Sequence, residues 1–134
     1  MNSCIANNKH IILSFKYSIR NKKYTIEHII KQKSNNKKTI ENLFKKLEEL
    51  SNLSWIELQN RPKENAYEMI PISEFYINLE EIKVKLNLSD DSKVIVFRFD
   101  NQNRRLLGIR SQECSSILYI IGYDWDYSAY NHGS

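Results

Sequence analysis

The stretch KVIVFRFDNQNRRLLGIRSQECSSILYIIGYD, residues 93–124, decides the fold of this chain. It contains three apolar segments, at residues 93–99, 105–110 and 117–124. The first and the last are apolar on both faces, which is typical of strands inside a sheet, and the polar turn at 100–103 predicts a hairpin between the first two. Gly108 and Gly122 lie within these strands, where a missing side chain usually marks a bulge or a close backbone approach.

The residues before this stretch add one strand and several helices. Residues 10–17 alternate between apolar and mixed positions, which predicts a half-buried strand. Thr25 is placed to cap a short helical turn over residues 28–31. Apolar residues between 40 and 50 recur at i, i+3, i+4, i+7 and i+10, and this repeat predicts the clearest helix of the chain.

A second helix start and an irregular segment follow. Ser54 and Glu57 have the spacing of a capping box, and Pro62 stops the helix that begins there. Residues 65–88 alternate only in part, and Pro71 cannot donate a hydrogen bond to a strand ladder. We therefore expect an irregular segment that leaves room for an edge strand.

Length and element order together define a fold class. A chain of 134 residues fits one domain, residues 1–134, because chains of this size bury about two thirds of their unfolded surface around a single core. The order of strands and helices predicts an α+β fold, with a mainly antiparallel sheet and helices packed on one face.

Composition narrows the class of protein. Apolar residues make up 41% and charged residues 27% of the chain, which indicates a globular protein. The longest uncharged apolar run, 115–123, is too short to span a membrane. Residues 1–8 lack the basic region and apolar core of a secretion signal, so we expect a cytoplasmic protein.

Cys4 and Cys114 have no Cys or His at metal-ligand spacing and are interpreted as ordinary thiols.

Positive charge is concentrated near the start of the chain. Residues 1–48 carry 11 Lys/Arg and 3 Asp/Glu, and residues 49–134 carry 9 and 13. Residues 16–38 alone hold eight basic residues and one acid, a density that attracts phosphate backbones. A low-GC genome would also raise the lysine count, so charge alone leaves the partner open. The candidate RNA-binding residues are Lys16, Arg20, Lys22, Lys23, Lys37, Lys38, Arg61, Lys63 and Trp125.

Ionisable and aromatic groups crowd the segment DWDYSAYNH, residues 124–132. The imidazole of His132 titrates near neutral pH and, with Tyr130, is a candidate for proton transfer, although a solvated chain end is an equally ordinary interpretation. Arg98 and Arg110 lie within strand patterns, and their guanidinium groups suit a phosphate or the charge that develops during phosphoryl transfer.

Other candidates carry weaker signals. Arg104 and Arg105 are expected at a solvated hairpin tip. Trp125 lies between two aspartates, where its ring is placed to stack on a base, whereas Trp55 is expected in the core. One Asp-x-Asp pair at 124–126 is weak evidence for a metal, so we predict neither a metal nor a cofactor.

Several segments taken together resemble a known toxin superfamily. HIILSFKY, NLSWIELQNRP, KVIVFRF, RRLLGIR, SILYIIGYD and the terminal YNH are similar in order to the strand, two helices, three strands layout of RelE/ParE/YoeB-like toxins. These are small basic ribonucleases or gyrase poisons that a partner antitoxin neutralises. Residues 63–92 have no counterpart in this layout.

The resemblance implies roles for particular residues. It makes Arg98 or Arg110 the phosphate-stabilising arginine, and it makes Tyr130 and His132 the terminal pair that takes part in proton transfer. The carboxylate that serves as general base in some members has no firm equivalent here. Glu64 and Glu68 are the candidates.

The leading hypothesis is a toxin-like endoribonuclease that cleaves messenger RNA, by metal-independent general acid–base chemistry, with the ribosome as a setting and an antitoxin as a partner. An alternative is a non-enzymatic inhibitor from a phage or mobile element, which binds a nucleic acid or a host protein through its basic half. A third is a subunit of a larger defence complex. Salt-sensitive binding without RNA breakdown favours the second, and co-purification with one host protein favours the third.

Overall fold

The computed structural model describes residues 10–32, 36–62, 67–101 and 103–130. These residues form five strands and four α-helices. In chain order they are β1 (Ile12–Ser14), α1 (Ile26–Lys31), α2 (Lys37–Ser51), α3 (Trp55–Gln59), β2 (Tyr67–Pro71), α4 (Glu80–Leu86), β3 (Lys93–Phe99), β4 (Arg104–Arg110) and β5 (Ile117–Asp124). Short 3₁₀ turns lie at Lys22–Tyr24 and Ile72–Glu74.

The five strands form one sheet in the order β1-β5-β4-β3-β2. β1 is parallel to β5, and every other neighbouring pair is antiparallel. The predicted α+β class with a mainly antiparallel sheet is confirmed, and β3 and β5 are internal strands as expected. The element order is longer than strand, two helices, three strands, because α3, β2 and α4 all precede the last three strands.

Both faces of the sheet are covered. Ile95, Phe97 and Phe99 of β3 pack in one core cluster with residues of α1, α2 and α3. Val94 and Val96 belong to a second cluster, which includes Ile82 of α4 and the C-terminal segment. Three of the four helices therefore lie on one face, as expected, and α4 lies on the other. We call these the α1–α3 face and the α4 face.

The predicted helix starts are confirmed by hydrogen bonds. The hydroxyl of Thr25 accepts a hydrogen bond from the backbone N–H of His28 at 3.3 Å. Ser54 and Glu57 form both bonds of the capping box, at 2.9 and 3.1 Å, and α3 ends at Gln59, before Pro62. The Thr25 cap and the Ser54–Glu57 capping box both satisfy backbone N–H groups that have no partner within the first turn of a helix.

The expectation for residues 65–88 is half right. β2 is an edge strand with Pro71 at its last position. The backbone N–H of Ile72 donates to Ser92 O at 2.9 Å. Because successive residues of a strand point their backbone groups to opposite sides, Pro71 faces the free edge of the sheet. Its missing N–H therefore removes no hydrogen bond of the ladder. Helix α4 was not predicted in this segment.

The two strand glycines lie where other backbone or side-chain atoms approach closely. The register of β4 against β5 shifts between Leu107 and Gly108, which is the predicted irregularity. A Cβ atom on Gly122 would lie 2.7 Å from Ile19 Cδ1 and 3.2 Å from the carbonyl oxygen of Tyr24. Glycine at 122 thus allows the segment before α1 to pack directly on β5.

Cys114 corrects one sequence-based interpretation. It is buried and disulfide-bonded, not an ordinary thiol. Its backbone N–H also donates to the Ser111 hydroxyl at 3.0 Å. Cys4, the other cysteine of the sequence, lies outside the described residues.

Among the described residues, no helix is both long enough and apolar enough to cross a membrane.

Candidate functional site

A row of charged residues crosses one end of the sheet on the α4 face. The strand register places Arg98 of β3 opposite Arg105 of β4, and Arg105 opposite Asp124 of β5. Glu68 of β2 reaches Arg98 from the other side, with Oε1 3.4 Å from Nη2. Like charges opposite one another destabilise a sheet, and here an acid flanks each arginine.

Asp124 anchors the segment that follows β5. Its side chain is fully buried. Its two carboxylate oxygens accept hydrogen bonds from the backbone N–H groups of Ser128, at 2.9 Å, and Ala129, at 3.2 Å. The turn from Asp124 to Ser128 includes Tyr127 at φ 66°, a left-handed conformation that costs energy for a residue with a side chain.

This turn brings Tyr130 back onto the α4 face. Tyr130 forms an isolated bridge with Phe75 and packs against its ring, with centroids 5.1 Å apart. The backbone N–H of Tyr76 donates to Ala129 O at 2.8 Å. Tyr130 is 3% exposed, so its hydroxyl is held inside the protein.

Arg105 is the buried cation of this end of the sheet, at 4% exposure. Its guanidinium carbon lies 4.3 Å from the centroid of the Tyr127 ring, and its Nη2 donates to the Tyr127 hydroxyl. Nη1 donates to the carbonyl oxygen of Arg104 at 3.1 Å. A buried guanidinium needs such partners, because an isolated charge is costly to desolvate.

Burial raises the pKa of Tyr130 to about 12, with Glu68 adding to the rise and Arg105 opposing it. The phenol therefore stays protonated at neutral pH and is a donor, not a base.

Six residues thus make up one group, which we call the sheet-end cluster: Glu68, Arg98, Arg105, Asp124, Tyr127 and Tyr130. Its inner members, Arg105, Asp124 and Tyr130, are buried. Its outer members are accessible: the side chains of Arg98 and Glu68 are 35% and 42% exposed, and Tyr127 is 45% exposed. The accessible rim offers a carboxylate and a guanidinium group side by side.

The structure brings together only part of the predicted catalytic set. Arg98 and Tyr130 both belong to the sheet-end cluster. Arg110 lies at the far end of β4 from Arg105, about 17 Å away at ~3.4 Å per residue, and its guanidinium carbon lies 4.2 Å from the ring of Trp55 on the α1–α3 face. His132 is outside the described residues.

Many of the predicted RNA-binding cations already have acidic partners. The pairs are Arg20 with Glu81 at 2.7 Å, Lys23 with Asp126 at 3.4 Å, Lys38 with Glu41 at 3.3 Å, and Arg61 with Glu49 at 2.5 Å. Lys16, Lys22 and Lys37 are exposed; Lys63 lies outside the described residues. The basic start of the chain is therefore partly neutralised by acids from later elements.

Trp125 does not have the exposure that stacking on a base requires. It is 2% exposed, its ring stacks on that of Tyr123 with centroids 5.4 Å apart, and its indole N–H donates to Thr25 O at 2.8 Å. The prediction that Trp125 binds RNA is wrong because the residue belongs to the core of the α1–α3 face.

The expectation of a solvated tip at Arg104 and Arg105 is also wrong. Arg105 is buried, and Arg104 is partly buried and donates to Trp125 O. The alternation of β4 contained the missed signal, since Arg105 shares a face with Leu107, a buried residue of the α4 face. No group of three or more His, Cys, Asp or Glu side chains within the described ranges is arranged to hold a metal ion.

Fold and site together define an α+β protein with a mixed acid, arginine and tyrosine cluster at one end of its sheet. No family model, no curated protein and no solved structure matches the chain. Any functional argument therefore depends on the geometry of the molecule itself.

Proposed function

We propose that this protein is a metal-independent endoribonuclease that cleaves messenger RNA at the rim of the sheet-end cluster. The observation that carries the proposal is the accessible pair of Glu68 and Arg98, 3.4 Å apart, above the buried Arg105. A carboxylate beside a guanidinium group supplies a general base and a phosphate ligand, which are the two groups that transfer within a phosphodiester requires.

The proposed reaction uses the ribose 2′-hydroxyl as nucleophile. Glu68 accepts the proton of that hydroxyl, and the 2′-oxygen forms a bond to phosphorus. The bond from phosphorus to the 5′-oxygen breaks, and that oxygen takes a proton from a general acid. The products are a 2′,3′-cyclic phosphate and a free 5′-hydroxyl. His132, which the sequence makes a candidate for proton transfer, is proposed here as that acid.

The residues have separate tasks in this proposal. Arg98 binds the phosphate and stabilises its additional charge in the transition state. Arg105 and Asp124 position the rim and the C-terminal turn. Tyr130 is a positioning residue, because its buried side chain and its bridge to Phe75 fix the backbone of the segment after β5.

The experiment uses a fluorescent single-stranded RNA, free or as messenger on purified ribosomes, in buffer with EDTA. Glu68→Gln and Arg98→Lys should each slow cleavage about 10²-fold or more, since each removes a group that acts on the reacting atoms. Glu74→Gln is the charge-matched control for Glu68→Gln, and Tyr119→Phe is a conservative substitution outside the sheet-end cluster; both should cleave like the wild type. A single 2′-deoxy substitution at the cleavage site should abolish the reaction.

Two results would count against this proposal. One is intact RNA with the folded wild-type protein under both conditions. The other is cleavage that all four variants retain. RNA binding that weakens with salt, without any cleavage, would favour the non-enzymatic binding protein. Action on messenger RNA implies the cytoplasm, where disulfides are rare. The disulfide at Cys114 argues for a more oxidising compartment if it is also found in protein taken from cells.

A further inference from the structure

A second site candidate lies at the other end of the sheet, on the α1–α3 face. It is a cavity of about 270 Å³ between α3, β2 and the nearby ends of β3 and β4. The residues that matter to its chemistry are Trp55, Tyr67, Met69, Lys93, Ile95 and Arg110. Its volume is close to the lower end of small-molecule sites, about 300–1,000 Å³.

The charged residues that line this cavity are both cations, Lys93 and Arg110. Arg110 Nε donates to Ser115 O at 2.7 Å, and within the described ranges no carboxylate forms an ion pair with Arg110 or Lys93. Desolvation by burial lowers the pKa of Arg110, an effect that Tyr67 partly opposes. A half-buried guanidinium group without a carboxylate beside it attracts an anion and offers it charge-assisted hydrogen bonds.

Part of the cavity wall is apolar and aromatic, and Gln59, Ser92 and Gln112 add neutral polar groups. Tyr67 and Ile95 belong to the strands beneath it, and Met69 is 51% exposed, a large fraction for a thioether side chain. Trp55 is 7% exposed, and its indole Nε1 has no hydrogen-bond partner among the described residues. A buried donor without an acceptor costs free energy, which an acceptor supplied from the cavity would recover.

We infer that this cavity binds a small organic carboxylate with an apolar or aromatic body. The body lies against Tyr67, Met69 and Ile95, and the carboxylate lies between Arg110 and Lys93. A carboxylate fits the planar end of the Arg110 guanidinium better than a single-point acceptor does, because two parallel N–H···O bonds form at once. The site is separate from the sheet-end cluster, so its test does not depend on RNA cleavage.

The test is NMR of the full ¹⁵N-labelled chain titrated with phenylacetate. The two tryptophans give two indole N–H signals, and the Trp125 indole already donates to Thr25 O, at 2.8 Å. Phenylacetate should shift the Trp55 signal in a saturable manner and leave the Trp125 signal in place. Arg110→Gln should weaken binding about tenfold or more, and Lys93→Gln by a smaller factor, because charge-assisted hydrogen bonds are lost. Lys45→Gln, on the exposed side of α2, is the charge-matched control.

Three outcomes would overturn the inference. The first is no saturable shift of the Trp55 signal. The second is equal binding of phenylacetate and the neutral phenylacetamide, which would mean that the cations do not contribute. The third is binding of phenyl phosphate in the absence of phenylacetate binding, which would assign the cavity to a different anion. The variants must first give the dispersed spectrum of the folded wild type, and Lys93→Gln at the exposed start of β3 serves if Arg110→Gln does not fold.

Discussion

At the scale of single residues, two aspartates two positions apart have opposite environments. Asp124 is fully buried and accepts two backbone hydrogen bonds, whereas the side chain of Asp126 is 53% exposed beside Lys23. Asp124→Asn places an amide NH₂ group where one backbone N–H needs an acceptor. We expect it to lower the free energy of unfolding by about 1–3 kcal/mol, and Asp126→Asn to lower it by less than about 1 kcal/mol. Urea titration of both variants tests this, and equal losses would contradict it.

Two buried tyrosines predict a loss of stability at alkaline pH. Burial raises the pKa of Tyr123 and of Tyr130 to about 12, above the ordinary value of 10.0. The unfolded chain therefore loses these protons first, so stability is unaffected below about pH 9 and falls between about pH 10 and pH 12. Each tyrosine contributes on the order of 2 kcal/mol to this fall.

Urea unfolding at a series of alkaline pH values measures this effect. Tyr123→Phe and Tyr130→Phe should each remove about half of the decline, and the double variant should remove most of it. If the double variant shows the same decline as the wild type, other groups are responsible.

The sequence predicted residue environments well where alternation alone decides them. Arg98 was placed within a strand, and it lies in the accessible rim of the site. Trp125 was misjudged because its aspartate neighbours suggested exposure, although the residue two positions before it, Tyr123, belongs to the same core cluster. Proximity between Glu68 and Arg98 depends on β2 pairing with β3, a long-range contact that no local pattern encodes.

At the scale of elements, one carboxylate joins a helix to a hairpin. Asp100, in the turn between β3 and β4, accepts hydrogen bonds from the Thr39 hydroxyl at 2.9 Å and from Asn42 Nδ2 at 2.8 Å. Both donors belong to the first two turns of α2, whose N-cap Asn36 makes no side-chain capping bond. A carboxylate near this end of the helix also interacts favourably with the helix dipole.

Thr39→Val should weaken the contact between α2 and the β3–β4 turn, with little change in the shape of the side chain. It removes the hydroxyl and should lower the free energy of unfolding by about 1–2 kcal/mol. Ser51→Ala is the matched control, because the Ser51 hydroxyl donates within α2 to Glu48 O at 2.9 Å, and it should have a smaller effect. Chemical denaturation of Thr39→Val, Asp100→Asn and their double variant should give a coupling energy of at least about 0.5 kcal/mol, and strict additivity would refute the contact.

Helix α4 shows why some elements were missed. Ile82, Val84 and Leu86 alternate with charged residues, which imitates a strand, yet Ile82 is 4% and Val84 77% exposed. The signal for a helix lay in Leu79 and Ile82, both buried at i and i+3, and in the acid–base pair of Glu80 and Lys83 at 2.8 Å. Helix α2 was predictable because its apolar repeat continues over more than two turns, whereas α4 is only seven residues long.

At the scale of the whole molecule, folding brings acids from the later half of the chain to the basic early segment. Arg20 pairs with Glu81 of α4, and Lys23 pairs with Asp126 after β5. The charge asymmetry of the sequence is therefore weaker on the folded surface than along the chain. This bears on the proposed RNA binding, because a cation already paired with an acid releases fewer counterions when phosphate binds.

Removing those acids should strengthen RNA binding if the basic segment contacts RNA. Glu81→Gln frees Arg20, together with Lys85 of α4, and Asp126→Asn frees Lys23. Each freed cation that contacts the RNA should steepen the dependence of log affinity on log salt by about 0.7 for a single strand. Glu74→Gln raises the net charge equally but frees no cation, because the described residues provide no ion pair for Glu74. Fluorescence anisotropy with a labelled, uncleavable 2′-deoxy oligonucleotide over a KCl series measures all four proteins. Equal slopes for the three variants would mean that net charge alone drives binding, and the paired lysine and arginine of the early segment would then lie outside the RNA interface.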